Sequence, residues 1–243
     1  MSSGRKRKVV VKCDVALAKL KLLHITKTAG TALESLGQQL GVKWGRRWTQ
    51  LHAQRGKLHP PHAGRLRSEW WHVPPRLFLE NPYRNYVTFA VVRCPYARAI
   101  SEFRCRWKGF CAPARGDAQK ERRAHAKALE LNQWLRQKLS KAARPPYQNC
   151  HFIPQHLYIF DTEGNRCVQE ENVLRFEHLA EDLKAFGKRH GCDFPQIPRA
   201  NESEMPKFTV DDLEDETRAL IESEFSDDFS LLGFQKLGTK DDP

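Results

Sequence analysis

Two apolar runs, each followed by a polar loop, dominate the first half of the chain. The first run, Leu20–Ile25, has the length of a buried strand, with Lys21 expected to point away from the core. Beyond the next loop, leucines recur at helical spacing over residues 33–40 and predict a helix that ends near Gly41. A strand that runs through a loop into a helix is typical of an α/β fold.

The second run, Val87–Val92, is almost wholly apolar, which predicts a strand buried on both faces. Arg93 follows it directly, and Pro95 suits the first turn of a new helix. Ser101 lies about two turns into that helix, so the Arg93 guanidinium and the Ser101 hydroxyl can converge on one phosphate. Ligands of open α/β sheets bind at this carboxyl edge of the strands.

The loop between the first strand and its helix, residues 24–31, has the composition of an anion cradle. It precedes a helix N-terminus, where unpaired backbone N–H groups favour a phosphate or sulfate. Lys27 adds positive charge, Thr28 and Thr31 add hydroxyl donors, and Gly30 lets the backbone approach the anion. The loop lacks the Gly-Lys pair of a Walker A sequence, which weakens a P-loop-like kinase or ATPase interpretation but keeps it as an alternative.

Three motifs carry a resemblance to a known family. The loop resembles the 5′-phosphosulfate loop H-I-P-K-T-[AG]-G-T, with Thr26 in place of the proline. The segment from Val92 to Phe103 resembles the 3′-phosphate signature V-R-N-P-[YW]-x-R-x-x-S-x-[YF], with Cys94 in place of the asparagine. His72–Leu77 resembles the element H-x-P-[AP]-x-x-[LIF]. The chain is thus similar to carbohydrate sulfotransferases that use 3′-phosphoadenosine 5′-phosphosulfate (PAPS), such as the heparan sulfate 2-O-/6-O-type and related Golgi enzymes.

The similarity continues weakly along the second half. It begins with a Pro-Gln before a short strand within 151–160 and a turn at 161–165. A strand-to-helix element at 173–177 then leads into a helix over 179–186, and a loop follows at 198–203. The last element is a terminal helix over 209–225, with Thr209 and Asp212 as a capping box. From periodicity alone we expect a charged helix over 118–139 before these elements.

The resemblance implies a fold and a domain organisation. The fold class is α/β, a P-loop-type three-layer domain whose central, mainly parallel sheet is flanked by helices. We expect one sulfotransferase domain over 19–238, preceded by a basic and flexible tail over 1–18.

The resemblance also implies the chemistry. Its members transfer the sulfuryl group from PAPS to a hydroxyl of an acceptor, here a glycan or another hydroxyl compound, and release 3′,5′-adenosine bisphosphate. Lys27 is the candidate that stabilises charge on the departing phosphate. The cofactor-binding candidates are Lys27, Thr28, Ala29, Gly30, Thr31, Arg93 and Ser101.

His72 is the candidate base, since an acceptor hydroxyl must lose its proton as the new bond forms. The alternative is a histidine packed beside two tryptophans, with a ring nitrogen satisfied by the backbone. Other candidate bases are His59, His62, Glu69 and Glu80. No metal-ligand spacing accompanies the histidines, so we expect no catalytic metal.

Arg98 has two open roles. It either reaches the nucleotide or forms an ion pair with a carboxylate such as Glu102.

The net charge of +12, from 41 Lys and Arg against 29 Asp and Glu, favours an anionic partner such as PAPS or an acidic glycan. A basic nucleic-acid-binding protein is the alternative from another class, but no nucleic-acid-binding module is recognised and we expect no nucleic acid partner.

The seven cysteines neither prove nor exclude that the protein works in an oxidising compartment. Cys105 and Cys111 could pair, as could Cys150 and Cys167, and free buried thiols are the alternative. Family analogy places the protein in the Golgi lumen behind a membrane helix, whereas the charged residues within 9–23 argue against such a helix and keep a soluble cytoplasmic location possible. The acceptor and the oligomeric state stay open.

Overall fold

A computed structural model describes residues 17–54, 56–60, 62–63, 66, 68–104, 120–145, 147, 150–195, 197 and 208–238. Residues 1–16 of the predicted tail and the predicted loop at 198–203 lie outside this part of the chain.

The described strands form one parallel sheet. Its strands are β1 (Leu20–Leu23), β2 (Val87–Val92) and β3 (Val173–Arg175), in the order β1-β2-β3. Leu20 pairs with Val87, and Ala90 pairs with Val173. The predicted bounds of β2 are confirmed, whereas β1 ends two residues before the expected Ile25.

Eight α-helices surround the sheet in the described part of the chain. They are α1 (Gly30–Gln39), α2 (Thr49–His52), α3 (Pro95–Phe103), α4 (Lys120–Ala142), α5 (His156–Ile159), α6 (Leu179–Arg189), α7 (Asp215–Glu224) and α8 (Ser226–Leu231). The predicted helix before Gly41 is confirmed as α1, and Gly41 itself has the positive φ of 74° that terminates many helices. The predicted start of α3 at Pro95 is also confirmed.

The two faces of the sheet are covered by different elements. On one face Phe89 and Val91 of β2 pack in a buried cluster with apolar residues of α1 and α6. On the other face Ala90 and Val92 pack with α5 and the segment that precedes β2. Burial on both faces explains why β2 is a continuous apolar run, and the predicted three-layer α/β fold is confirmed.

A third apolar cluster joins α3, α4, α7 and α8. The helix α4, which is the predicted charged helix, contributes Leu131, Leu135 and Leu139, and all three are fully buried. This cluster anchors α3, the helix that follows Arg93.

Lys21 does not point away from the core. It is buried, and its ammonium donates to the Ala18 carbonyl at 2.6 Å and to the Lys43 carbonyl at 3.2 Å. The same nitrogen lies about 5 Å from the ring centres of Trp48 and Tyr86. Burial lowers the pKa of Lys21, but carbonyls and rings replace its water shell.

Two predicted elements of the second half differ from the structure. The short strand expected within 151–160 is the helix α5, and its next residue, Phe160, pairs with Arg166 in an isolated bridge. The helix expected over 209–225 is divided. The capping box of Thr209 and Asp212 is confirmed, but it caps the short 3₁₀ turn Val210–Asp212, and α7 begins only at Asp215.

The cysteine predictions have different outcomes. Of the two alternatives left open for Cys150 and Cys167, the structure has free thiols, whereas Cys105 and Cys111 lie outside the described residues. Cys192 is disulfide-bonded.

Within the described residues, no helix combines the length and the apolar character needed to cross a membrane.

Candidate active site

The loop from β1 to α1 holds two non-glycine residues in the left-handed region. Lys27 has a φ of 65° and Ala29 a φ of 67°, and Ala29 is the residue that caps α1. Such residues cost on the order of 1 kcal/mol each and are found where function requires the strained conformation. No described side chain caps α1, and its first turn carries no acidic residue, so its first backbone N–H groups suit an anion.

The two threonines of this loop have different environments. Thr31 is exposed in the first turn of α1, where its hydroxyl can meet a ligand. Thr28 is buried, and its hydroxyl donates to the Ile25 carbonyl at 2.9 Å. The hydrogen of the Thr28 hydroxyl is thus used inside the loop, and the contribution of Thr28 to the anion site stays a prediction. Lys27, which precedes Thr28, is partly buried.

Gly30 is required by packing. A Cβ on this residue would lie 1.9 Å from the His24 Nε2 atom, so only glycine leaves room for the imidazole. Unlike Lys27 and Ala29, Gly30 has no positive φ. Its role in the structure is to admit the His24 ring beneath the start of α1, a role that the sequence did not predict.

Arg98 fixes the loop between β1 and α1 through hydrogen bonds. It is 3% exposed, and its guanidinium donates to the Thr26 carbonyl at 3.1 Å, the Thr26 hydroxyl at 3.2 Å and the His151 carbonyl at 3.0 Å. The Thr26 hydroxyl in turn lies 3.3 Å from the carbonyls of Cys150 and His151. Hydrogen bonds thus restrain the backbone at the position where the motif has proline. Of the two roles left open for Arg98, the structure favours a structural one, although its partners are loop oxygens rather than Glu102.

Arg93 connects the loop to the end of β2. Its backbone N–H and carbonyl both bond to the Gln155 side-chain amide, at 2.9 and 2.8 Å. Its guanidinium lies 4.0 Å from the ring centre of Phe176 and donates to the Lys27 carbonyl at 3.2 Å. Burial lowers the pKa of Arg93, while Glu177 opposes that shift. The structure therefore brings together the two predicted anion motifs.

A cavity of about 270 Å³ opens beside Arg93. Ser101 and Arg104 of the α3 segment line its polar side, and Ile100 and Phe208 contribute apolar surface. The cavity has the mixed lining that a phosphorylated nucleoside requires. Sequence reasoning missed Arg104, whose signal was its position three residues after Ser101 on the same helical face.

The His72 imidazole is hydrogen-bonded at both nitrogens. Its Nδ1 donates to the His24 carbonyl at 3.0 Å, and its Nε2 accepts the Trp71 indole N–H at 3.1 Å. Burial lowers its pKa to about 3, with the nearby His24 as a further cause. The ring is therefore neutral, and its environment is the alternative that the sequence left open, a histidine beside tryptophan with a nitrogen on the backbone.

The remaining base candidates lie in diverse environments. His59, Glu69 and Glu80 are exposed. His62 is buried and stacks on Tyr147 with ring centres 5.5 Å apart.

The model of the Sulfotransferase family matches residues 18–235, a span that includes every motif described above. The chain belongs to the sulfotransferase family. It is a transferase that moves sulfuryl groups. No curated protein and no solved structure matches it.

Further residues support the site of this sulfotransferase. Asp228 is fully buried and accepts hydrogen bonds from the backbone N–H groups of Gln155 and His156, both at 2.8 Å. Gln155 in turn holds Arg93. The sequence indicated only the Pro-Gln pair of this network, because Gln155 and Asp228 lie over 70 residues apart in the chain.

Three histidine rings form a row near the loop between β1 and α1. The His24 and His72 ring centres are 4.4 Å apart, and those of His72 and His151 are 6.2 Å apart. His151 Nδ1 lies 2.8 Å from both carboxylate oxygens of Glu102. Among the described residues, no group of three or more His, Cys, Asp and Glu side chains has an arrangement that could hold a metal ion.

Proposed function

We propose that this sulfotransferase transfers the sulfuryl group of PAPS to a hydroxyl of a carbohydrate acceptor. The observation that carries the proposal is the 3.2 Å hydrogen bond from the Arg93 guanidinium to the Lys27 carbonyl. This hydrogen bond connects the uncapped N-terminus of α1 to the basic cavity beside Arg93. PAPS needs two neighbouring anion sites of this kind, one for its phosphosulfate and one for its 3′-phosphate.

In this proposal the phosphosulfate lies at the start of α1. The N–H groups of Ala29, Gly30 and Thr31 face its oxygens, and the exposed Thr31 hydroxyl adds a donor. The Lys27 ammonium stabilises the charge that develops on the bridging oxygen as the bond to sulfur breaks. Thr28 contributes by fixing the loop through Ile25.

The 3′-phosphate lies in the cavity beside Arg93. The guanidinium of Arg93 and the hydroxyl of Ser101 are its proposed ligands, since both line the same space. The Phe176 ring and the Gln155 amide hold Arg93 from two sides, so the guanidinium is oriented before the ligand arrives.

The proposed carbohydrate acceptor approaches from the side of His72. The motif resemblance of His72–Leu77 supports this class of acceptor. Beside it, the Arg46 guanidinium lies 5.5 Å from the ring centre of Trp71 and is exposed. An aromatic ring next to a surface cation suits a sugar that carries an acidic group.

Transfer in line with the breaking bond needs a proton acceptor for the sugar hydroxyl. His72 stays the base that the sequence predicts. For that role its Nε2 must exchange the Trp71 indole for the acceptor hydroxyl.

The test is a thermal melt with 3′,5′-adenosine bisphosphate, followed by transfer from radiolabelled PAPS to a panel of oligosaccharides. At 100 times its dissociation constant the nucleotide stabilises the fold by about 2.7 kcal/mol, which raises the melting temperature by several degrees. Lys27→Ala lowers turnover by at least about 10²-fold, whereas Lys57→Ala, at an exposed lysine outside the site, does not.

No melting shift at saturating nucleotide overturns the PAPS proposal. A shift without transfer to any sugar, together with transfer to a phenol, overturns the acceptor class alone.

A further inference from the structure

The Trp71 indole occupies the nitrogen that the proposed base needs. Its N–H donates to the His72 Nε2 atom at 3.1 Å. The Nδ1 atom of the same imidazole lies 3.0 Å from the His24 carbonyl, and since a carbonyl can only accept, Nδ1 carries the hydrogen and Nε2 the lone pair. While the indole is in this position, neither water nor a sugar hydroxyl can give a proton to His72.

His72 is fixed by hydrogen bonds of its ring and of its backbone. Besides the bond from Nδ1, its carbonyl accepts from the buried Tyr158 hydroxyl at 2.6 Å, and its backbone N–H donates to the Glu69 carbonyl at 2.9 Å. The ring also packs edge to face against His24, with ring centres 4.4 Å apart. Any movement of His72 breaks several of these contacts at once.

Trp71 is held less firmly than His72. It is partly buried and packs at the edge of the apolar cluster that covers one face of the sheet. The exposed Arg46 guanidinium lies 5.5 Å from its ring centre, and the His52 ring centre lies 6.1 Å away. The bond to Nε2 is the one hydrogen bond that the indole N–H makes in the described part of the chain, so Trp71 is the partner that can move away.

We propose that the Trp71 indole blocks the base and keeps His72 from activating water until a sugar acceptor displaces the indole. The inference rests on the proposed function, in which His72 is the base. It makes Trp71 the residue that selects a sugar hydroxyl over water.

The reaction that Trp71 prevents is hydrolysis of the donor. When water reaches His72, one of its protons passes to Nε2 while its oxygen bonds to sulfur. The sulfur–oxygen bond of the donor breaks, and its electron pair passes to the phosphate oxygen of 3′,5′-adenosine bisphosphate. Transfer to a sugar follows the same steps with the sugar hydroxyl in place of water, so control of access to Nε2 decides between the two products.

A sugar with an acidic group can displace the indole because it also competes for Arg46. A carboxylate or sulfate binds a guanidinium more strongly than an aromatic ring does, so such an acceptor removes the cation from the Trp71 ring. The Arg46 backbone stays in place, since its N–H donates to the Glu34 carboxylate at 2.7 Å and its carbonyl lies 3.1 Å from His52 Nε2. Water makes no such contact with the ring or the cation.

The decisive variant is Trp71→Phe, which keeps an aromatic ring but has no N–H to occupy Nε2. We expect hydrolysis of radiolabelled PAPS without acceptor to rise at least about 10-fold, because a positioned base contributes about 10²–10⁴-fold. The melting shift by adenosine bisphosphate should stay unchanged, which shows that the variant is folded. Trp70→Phe is the matched control, a neighbouring tryptophan whose ring centre lies 6.4 Å from that of Phe78, and should leave hydrolysis unchanged.

Two further readouts distinguish a blocked base from a packing role of Trp71. The gain in hydrolysis should disappear when Trp71→Phe is combined with His72→Asn. In Trp71→Phe alone, the pKa of His72 should rise from about 3 toward its usual value, because the indole no longer occupies the lone pair, and the acid limb of the hydrolysis profile reports this rise. The other groups that act on this pKa, His24, His151 and Arg46, are the same in the variant.

A Trp71→Phe protein that binds adenosine bisphosphate but hydrolyses PAPS no faster than the unmodified protein overturns this inference. A gain in hydrolysis that survives His72→Asn overturns it as well. Both results leave the proposed donor and acceptor intact, whereas absence of nucleotide binding and of transfer in the unmodified protein overturns the proposed function and the inference with it.

Discussion

At the scale of single residues, the start of α1 depends on two neighbouring positions with opposite requirements. Ala29 occupies a left-handed conformation that glycine adopts more readily, whereas Gly30 has an ordinary φ but no room for a side chain. The His24 ring fills that room. Conformational strain therefore lies at Ala29 and Lys27, and the glycine beside them relieves a clash.

Two changes of one methyl group test this distinction. Gly30→Ala should destabilise the fold by about 1–3 kcal/mol, because its Cβ would collide with His24. Ala29→Gly should stabilise the fold by up to about 1 kcal/mol, since it removes left-handed strain. Urea unfolding of both variants measures the difference. A Gly30→Ala protein as stable as the unmodified one would contradict the packing, and His24→Ala should relieve the loss.

The neutral state of His72 predicts an acid-sensitive fold. Its pKa is about 3 in the folded protein and about 6.5 in the unfolded chain, so the unfolded state binds the proton first as the pH falls. The stability from His72 is complete above about pH 6.5 and is lost progressively toward pH 3, by at most about 1.4 kcal/mol per pH unit.

Urea unfolding between pH 7 and pH 4 measures this slope. The slope should decrease in His72→Asn and stay unchanged in His178→Asn, an exposed control. Equal slopes in all three proteins would show that His72 does not remain neutral in the folded state.

At the scale of elements, the end of β2 is held by helices that lie far away in the chain. The Asp228 carboxylate of α8 accepts from the start of α5, and Gln155 before α5 brackets the backbone of Arg93. The position of the Arg93 guanidinium therefore depends on the packing of α5 against α8.

Asp228→Asn should destabilise the protein by about 1–3 kcal/mol, because the amide keeps only one acceptor oxygen and its NH2 group leaves one of the two backbone N–H groups without an acceptor. It should also weaken the melting shift caused by adenosine bisphosphate, since Gln155 no longer fixes Arg93. Asp227→Asn is the matched control at an exposed neighbour and should change stability by less than about 0.5 kcal/mol. Equal effects of the two variants would contradict the role of the network.

At the scale of the whole molecule, the net charge of +12 acts on any anionic acceptor before it reaches the site. We expect the transfer rate to an anionic oligosaccharide at low concentration to fall several-fold between about 20 and 200 mM salt, because screening shortens the range of attraction. A neutral oligosaccharide of the same backbone is the control. Initial rates with both acceptors measure the effect, and equal salt dependence would exclude steering by charge.

A comparison of the predicted and observed sheet shows which features can be predicted from the local sequence pattern. The limits of β2 follow from the sequence, because a strand covered on both faces must be apolar at every position. Lys21 lies in the same sheet yet was misplaced, since its burial depends on carbonyls and rings of residues remote in the chain. The expected strand within 151–160 failed for a similar reason, because α5 forms where Asp228 accepts its first N–H groups.

The sequence by itself determined the α/β class, the loop that precedes α1 and the candidate anion residues Lys27, Arg93 and Ser101, because these depend on periodicity and on residues close in the chain. The tertiary structure decided how they meet. It placed Arg93 on the Lys27 carbonyl, explained Gly30 by the His24 ring, and gave Glu102 to His151 rather than to Arg98. Such contacts join residues that are distant in sequence, and a local pattern does not encode the partner.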